Sequence, residues 1–336
     1  MTEETAVPGS MRAMVCRAFG PLATSLLPEV VPAPRPGRGE VAIAVHACGI
    51  NFFDGLMVEG RYQHKPPFPF SPGAEVAGVV QALGEGVTSL APGQRVFAFV
   101  GHGGLAGQVV AEARNVQRTP AGLDDLTAAA FPVVYGTALH ALQDRGTLRA
   151  GETLLVLGAA GGVGLAAVQL GKLMGARVIA AASSPGKLEL CRRHGADEVV
   201  DYASEDLRAR VKELAGTRGV DVVFDPVGGD LAEPMIRSLA MGGRYLVIGF
   251  AAGDIPKIPM NLLLLKSAAA VGVFWGAFVQ THPESNAANI RQLLGWLVQG
   301  ELRPHIHGTW PLERAVEAIG VVMSRQVQGK VVVTVP

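Results

Sequence analysis

Net charge is the first thing missing. The 336-residue chain has 29 Lys and Arg against 29 Asp and Glu, and only 17% of its residues are charged. A neutral chain has no global field to attract nucleic acid or an anionic membrane surface, so neither is expected as a partner. Cysteine is scarce. Cys16, Cys48 and Cys191 are odd in number and far apart, which leaves no disulfide framework and no Cys-x-x-Cys zinc pattern. A reducing, cytoplasmic setting fits that usage. A targeting segment is lacking too: residues 1–10, MTEETAVPGS, carry two Glu and no apolar core and read as a frayed tail. Long hydrophobic runs are nearly absent. The one candidate, NLLLLKSAAAVGVFWGAFV at 261–279, has the roughly 20 residues that a bilayer span needs. Lys266 inside it would cost roughly 2.5–3.5 kcal/mol at a helix centre, and Gly272 and Gly276 interrupt it. It is expected to form a short helix and then a buried strand.

Apolar residues and glycine are plentiful. A 49% hydrophobic content is wrong for intrinsic disorder. At roughly 100–200 residues per domain, two domains are expected, each able to bury a core. Glycine accounts for 43 residues, well above the average of roughly 7%. From residue 11 to about 130, short β-like runs such as VAIAVHA (41–47), AEVAGVVQALG (74–84) and GQRVFAFV (93–100) are separated by Gly and Pro, suggesting a small barrel-like β unit. From about Phe131, apolar strands alternate with helices. Strands are predicted at 153–157, 177–182, 198–200, 220–225 and 244–249. Helices are predicted between them at 165–174, 187–194, 207–215 and 231–240. Strands that are apolar throughout imply a parallel sheet covered on both faces, a doubly wound α/β domain. Two further helices, 287–299 and 312–323, and a final strand KVVVTVP look as if they rejoin the first domain.

The densest glycine cluster, LLVLGAAGGVGLAAVQLG, lies at a strand-to-helix turn. The dinucleotide fingerprint G-x-G-x-x-G maps onto Ala159, Gly161 and Gly164, with Ala in the first position and extra freedom at Gly158 and Gly162. Gly161 and Gly162 let the backbone approach a pyrophosphate, Gly164 lets the helix pack on the strand, and the helix N-terminus favours phosphate. Cofactors with a free ribose 2′-hydroxyl are gripped by a carboxylate roughly 20 residues on. Here that region reads Ala182-Ser183-Ser184-Pro185-Gly186-Lys187, with no carboxylate before Glu189. Small hydroxyls plus Lys187 suit a 2′-phosphate, so NADPH is expected over NADH.

Together, ACGINFFD (47–54), PGAEVAGVV (72–80), FPVVYGTALHAL (131–142), GAAGGVG (158–164), FDPVGG (224–229), GGRYLVIG (242–249) and GKVVV (329–333) resemble the zinc-free quinone oxidoreductase branch of the medium-chain dehydrogenase/reductase family. The resemblance implies an α/β protein with a GroES-like catalytic β domain at 11–132 and 277–336. A Rossmann-type NADPH-binding domain would occupy 133–276, with the active site in the cleft. It implies cofactor contacts from Thr137, Ala160, Gly161, Gly162, Val163, Ser183, Lys187, Tyr202, Val227, Ile248, Gly249, Phe250, Phe274, Trp275 and Gly276. Asn51 and Asp54 would flank the nicotinamide, and Tyr62 would reach the substrate. Glu75 reads as structural and Cys48 as a small buried residue. Some relatives have a Tyr two residues after the Asp; here that position is Leu56, which leaves solvent as the proton source. Zinc-dependent relatives carry Cys at the position of Asn51, and Gly-His-Glu where this chain has Gly73-Ala74-Glu75. Zinc needs thiolate or imidazole ligands and none stands there, so no metal is expected.

Without a metal the plausible acceptors are already electrophilic. The leading expectation is a quinone reductase, transferring hydride from NADPH to a quinone or other conjugated carbonyl. Reduction of enones or acyl thioesters is an open alternative, and so is a non-catalytic NADPH-binding or structural protein. The family resemblance implies a homodimer, with the apolar segment 268–274 as the edge strand that joins two sheets.

Overall fold

The computed structural model describes residues 9–336, so the first eight residues of the expected tail lie outside the described residues. The chain forms two compact units: Met1–Val133 with Ile306–Pro336, and Val134–His305.

The first unit is β-rich. Strands β1 (Ser10–Cys16) and β2 (Leu26–Pro32) form an antiparallel ribbon. The main sheet uses β3 (Glu40–Ile50), β4 (Glu75–Leu83), β5 (Arg95–Phe99), β6 (Gln108–Glu112), β7 (Val116–Arg118) and, from the chain end, β14 (Ile306–Pro311) and β15 (Lys330–Thr334). Its order is β14-β15-β3-β4-β5-β7, with β6 also on β3. Strand β3 serves two neighbours on one side. Glu40–Ala44 pairs with β6, and Ala47–Ile50 pairs with β15. Register shifts between Ala42 and Ile43 and between Val45 and Ala47 interrupt its pairing with β4, and irregularities of this kind bend a strand and increase its twist. The sheet encloses Val41, Ile43, Val45, Val76, Val80, Val96, Val331 and Val333, with Ala318 and Ile319 from the helix Ala315–Met323 packed on the same core.

The second unit has six parallel strands: β8 (Thr153–Val156), β9 (Arg177–Ala182), β10 (Glu198–Asp201), β11 (Val220–Asp225), β12 (Leu239–Val247) and β13 (Ala269–Gly272). Their order, β10-β9-β8-β11-β12-β13, is the doubly wound one in which the direction of winding reverses beside the first strand. Strand β11 is buried at every residue, as a strand covered on both faces must be. The helices Gly162–Leu173, Pro185–Arg193, Leu207–Ala215 and Ala232–Arg237 fall where the periodicity put them.

Three expectations change. Segment 277–305 belongs to the second unit, and only Ile306–Pro336 rejoins the first. The helix Pro283–Val298 buries Ile290, Leu293 and Leu297. Asn289 donates to Asp144 at 2.8 Å, and the Arg303 N–H donates to Gln169 at 2.9 Å. Amphipathicity revealed that this helix has a buried face, but not which body covers it. Strand β12 begins at Leu239, earlier than expected, because the preceding helix ends at Arg237. Strand β13 is not buried: it lies at the end of the sheet order, with Ala269, Ala270 and Gly272 exposed. The apolar stretch around it divides into the helix Asn261–Leu264, β13 and the helix Trp275–Thr281. Among the described residues no helix is long and apolar enough to cross a membrane.

Candidate active site

In the second unit, β8 runs into the glycine turn. Gly158 has φ +55°, a left-handed conformation that glycine adopts at little cost. A Cβ on Gly164 would lie 2.9 Å from Ala159 Cα and collide with the Gly158 carbonyl, so only glycine lets the helix start so close to the strand. The helix begins at Gly162 with Gly161 as its cap, and no side chain hydrogen-bonds this end. The first N–H groups of a helix have no partner within it, and the macrodipole adds positive character there. Gly161, Gly162 and Val163 are partly accessible, whereas Ala159 and Ala160 are buried.

At the end of β9, Ser183 and Lys187 are half-buried, and Lys187 Nζ donates to Ser183 Oγ at 3.4 Å. Glu189 lies 3.6 Å from Arg192 in an exposed ion pair. The Tyr202 N–H donates to the Ala182 carbonyl at 3.1 Å, which sets Tyr202 beside Ser183.

The loop after β11 meets the glycine turn, and the segment after β12 meets that loop. Val227 Cγ2 would be 2.9 Å from a Cβ on Gly158, and Phe250 Cδ1 would be 2.8 Å from one on Gly228. The N–H groups of Ile248 and Gly249 donate to the Asp225 carbonyl at 2.9 and 3.4 Å. Asp225 shapes the loop. Its Oδ1 accepts from the Val227 and Gly228 N–H groups at 2.7 and 2.9 Å, and its Oδ2 accepts from the Tyr245 hydroxyl. Burial holds the Asp225 carboxyl above its ordinary range, and burial with the Asp225 charge pushes the Tyr245 hydroxyl up. Sequence reasoning singled out FDPVGG without assigning Asp225. The missing partner, Tyr245, lies on another strand.

Thr137, on the helix Pro132–Leu139, is partly exposed. Its neighbour Gly136 faces Trp275: a Cβ there would meet the indole at 2.5 Å. Trp275 is buried, and its Nε1 donates to Asn286 at 3.2 Å. Its side chain therefore packs the interior, while Phe274 is 55% exposed and Gly276 half-buried.

In the first unit, Asn51 and Asp54 frame the start of the helix Phe52–Val58. Asp54 is fully buried. Its Oδ2 accepts from the Asn51 N–H at 2.7 Å and its Oδ1 from the Gly73 N–H at 3.1 Å. Burial raises its pKa from 3.8 to about 7, although the two N–H bonds and the Lys330 charge pull it down. Tyr62 stacks on Phe53 with centroids 5.1 Å apart, and burial followed by the Asp54 charge raises its hydroxyl. Glu75 has no exposed surface. Its Oε1 accepts from Lys330 Nζ at 2.7 Å and Asn51 Nδ2 at 2.8 Å, and its Oε2 from the Val133 N–H at 2.8 Å. Lys330, 4% exposed, went unassigned in sequence. A lysine opening a final strand carries no signal of the carboxylate it will meet 255 residues away.

Zinc does not fit this cluster. Asn51 offers an amide, Ala74 offers no donor, and Glu75 is already engaged by the Lys330 ammonium, whereas zinc takes thiolate, imidazole or free carboxylate ligands. Among the described residues, no three His, Cys, Asp or Glu gather as metal ligands. His305 lies 5.8 Å, ring to ring, from His194, while His307 accepts from the Gln328 N–H.

Two family models match: the alcohol dehydrogenase GroES-like domain over residues 37–121 and the zinc-binding dehydrogenase over 162–293. A rat (Rattus norvegicus) quinone oxidoreductase-like protein 2 is 40% identical over 304 residues, 90% of this chain and 87% of the relative. The crystal structure of a probable oxidoreductase from Mycobacterium abscessus is 38% identical, with TM-score 0.87 over 98% of this chain and 100% of that one. The Escherichia coli quinone oxidoreductase complexed with NADPH is 27% identical, with TM-score 0.89 over 96% and 99%. The chain belongs to the medium-chain dehydrogenase/reductase family, in its quinone oxidoreductase branch.

Two predictions follow from this geometry. A carboxyl whose pKa is raised on folding contributes stability that is full below its unfolded value, about 4, and lost as pH rises through about 7. The wild type should therefore lose stability relative to Asp54→Asn across that window, and thermal unfolding at a series of pH values checks it; parallel curves would refute it. Gly164→Ala should cost ~1–3 kcal/mol from overpacking against backbone, read by urea unfolding, and an unchanged midpoint would contradict it.

Proposed function

We propose that the protein is an NADPH-dependent reductase that acts without a metal on a quinone or another conjugated carbonyl. The observation that carries this reading is the end of β9. A lysine and a serine hydroxyl stand together there, Tyr202 is tied alongside, and the first carboxylate is paired with an arginine. That set offers positive charge and hydroxyl groups to a 2′-phosphate and no free carboxylate to a 2′-hydroxyl. The NADPH bound to the Escherichia coli relative supports it.

In this reading Ala160, Gly161, Gly162 and Val163 offer backbone at the helix N-terminus to the pyrophosphate. Ser183, Lys187 and Tyr202 hold the 2′-phosphate. Val227, Ile248, Gly249 and Phe250 line the cofactor at the carboxyl ends of their strands, where doubly wound sheets bind ligands. Thr137, Phe274, Trp275 and Gly276 serve its nicotinamide end. Asn51, Asp54 and Tyr62 are the candidate residues that the first unit offers to the substrate. NADPH supplies a hydride when bound, and with one proton from water a quinone becomes a hydroquinone. The protein's share is to orient the partners and exclude water. Since both Asp54 oxygens accept from backbone N–H groups, water is the simpler proton source. Three buried free cysteines accord with a cytoplasmic setting.

Lys187→Ala should weaken NADPH by about tenfold or more, the scale of a lost charge-assisted contact, and leave NADH within about twofold. Fluorescence titration of both cofactors reads this, and equal affinities in the wild type would sink the NADPH preference. A panel of quinones, enones and enoyl thioesters identifies the acceptor. Turnover of enones alone would favour the acyl-thioester alternative, and turnover of none would favour a binding protein.

The reading includes a homodimer joined through β13. Among the described residues the strand ends its sheet with one edge unpaired, and Met241, Met260, Leu264 and Leu265 are each more than 70% exposed. An open edge among apolar side chains is a pairing surface. Light scattering should give a dimer, and Ala270→Lys a monomer; a monomeric wild type would overturn this.

A further inference from the structure

Lys330 is the least expected residue of the first unit. Its ammonium has three N–H donors and three acceptors: the Ile50 carbonyl at 2.7 Å, Asn51 Oδ1 at 2.9 Å and Glu75 Oε1 at 2.7 Å. Its donor capacity is thus spent inside the protein, and at 4% exposure it has nothing left for a ligand. The chamber has little spare room, since a Cβ on Gly49 would fall 2.7 Å from Glu75 Oε1. Asn51 keeps the most accessible surface of the set, 7% against 4% for Lys330, whereas Asp54 and Glu75 keep none.

The polarity of the Asn51 amide is fixed by what surrounds it. Oδ1 faces the ammonium, and Nδ2 faces the Glu75 carboxylate at 2.8 Å, with the Gly49 carbonyl at 3.5 Å. Turning the amide over would set its NH2 against an ammonium and its oxygen against a carboxylate, two repulsions in a buried setting where charge interactions are strong. Both Nδ2 protons point to internal acceptors, while Oδ1, an acceptor with two lone pairs, meets the ammonium and faces the helix start.

We propose that Lys330 is the positioning residue of this site: it locks the Asn51 side chain so that Asn51 meets a ligand only as a hydrogen-bond acceptor. The group it takes is an O–H or N–H donor of the substrate, such as the hydroxyl of a reduced product. Asn51 does not donate to a developing oxyanion. The catalytic half of this inference rests on the reductase reading above; the amide orientation does not.

The test follows the Asn51 side-chain amide protons by 15N NMR and, in parallel, steady-state kinetics. The proteins compared are the wild type, Lys330→Met and Glu75→Gln/Lys330→Met, the double variant removing both buried charges should the single one not fold. In the wild type the two protons should be well resolved and slow to exchange. In the variant that folds, their exchange should quicken by about tenfold or more as the amide is freed. The kcat should fall by about tenfold while the Kd for NADPH, held by the other unit, stays within about twofold. A wild-type amide that exchanges freely, or a variant whose amide remains as protected as the wild type's, overturns the positioning role. An amide that responds as stated in a protein that reduces no acceptor would leave the orientation standing and remove the reductase reading instead.

Discussion

An ammonium taken out of water must find acceptors for all its protons or the fold loses several kcal/mol. Lys330 finds them on two separate stretches: the junction of β3 with the following helix, at Ile50 and Asn51, and the first residue of β4. Glu75 extends the same network to the Val133 N–H, and Asp54 extends it to Gly73. Segments far apart in sequence are therefore held in one arrangement by a single buried charge. Such pairs add little net stability compared with apolar packing of the same volume, because desolvation consumes the Coulombic gain. What this one contributes is geometry: the carbonyl, amide and carboxylate groups have one mutually satisfied arrangement.

The second unit is organised by a steric constraint in place of a charge. Gly164 must lack a Cβ for its helix to start against the Gly158 carbonyl. That close start aims the helix N-terminus past the end of β8, where the sheet order reverses. The Asp225–Tyr245 bond gives the neighbouring loop a fixed course, so Val227 comes to lie against the glycine turn. Buried polar groups thus set loop shape in both units, while apolar strands supply the bodies that hold them.

The doubly wound unit was legible because its signals are local. A fully buried parallel strand reads as an apolar run, and VDVVFD at β11 is one. The glycine turn was legible for the same reason, since backbone conformation and helix start depend on a handful of consecutive residues. The helix Pro283–Val298 was also visible, but its unit was misjudged, because periodicity reports a buried face and not the partner that covers it. The strand at 269–272 was expected to be buried for its composition, while the family resemblance made it the edge strand, which is where the strand order puts it; no short window of residues contains that order.

Sequence by itself determined the two-unit class, the glycine turn between strand and helix, the lack of a carboxylate after β9, and the want of thiolate or imidazole at Asn51 and Ala74. Each depends on residue type at short spacing. Only the tertiary structure decided that Lys330 meets Glu75 and Asn51, that Asp225 meets Tyr245, and that Asp54 is sealed away with a raised pKa. These outcomes rest on contacts between residues 19 to 279 positions apart. They rest equally on desolvation, which belongs to the folded environment and not to any residue.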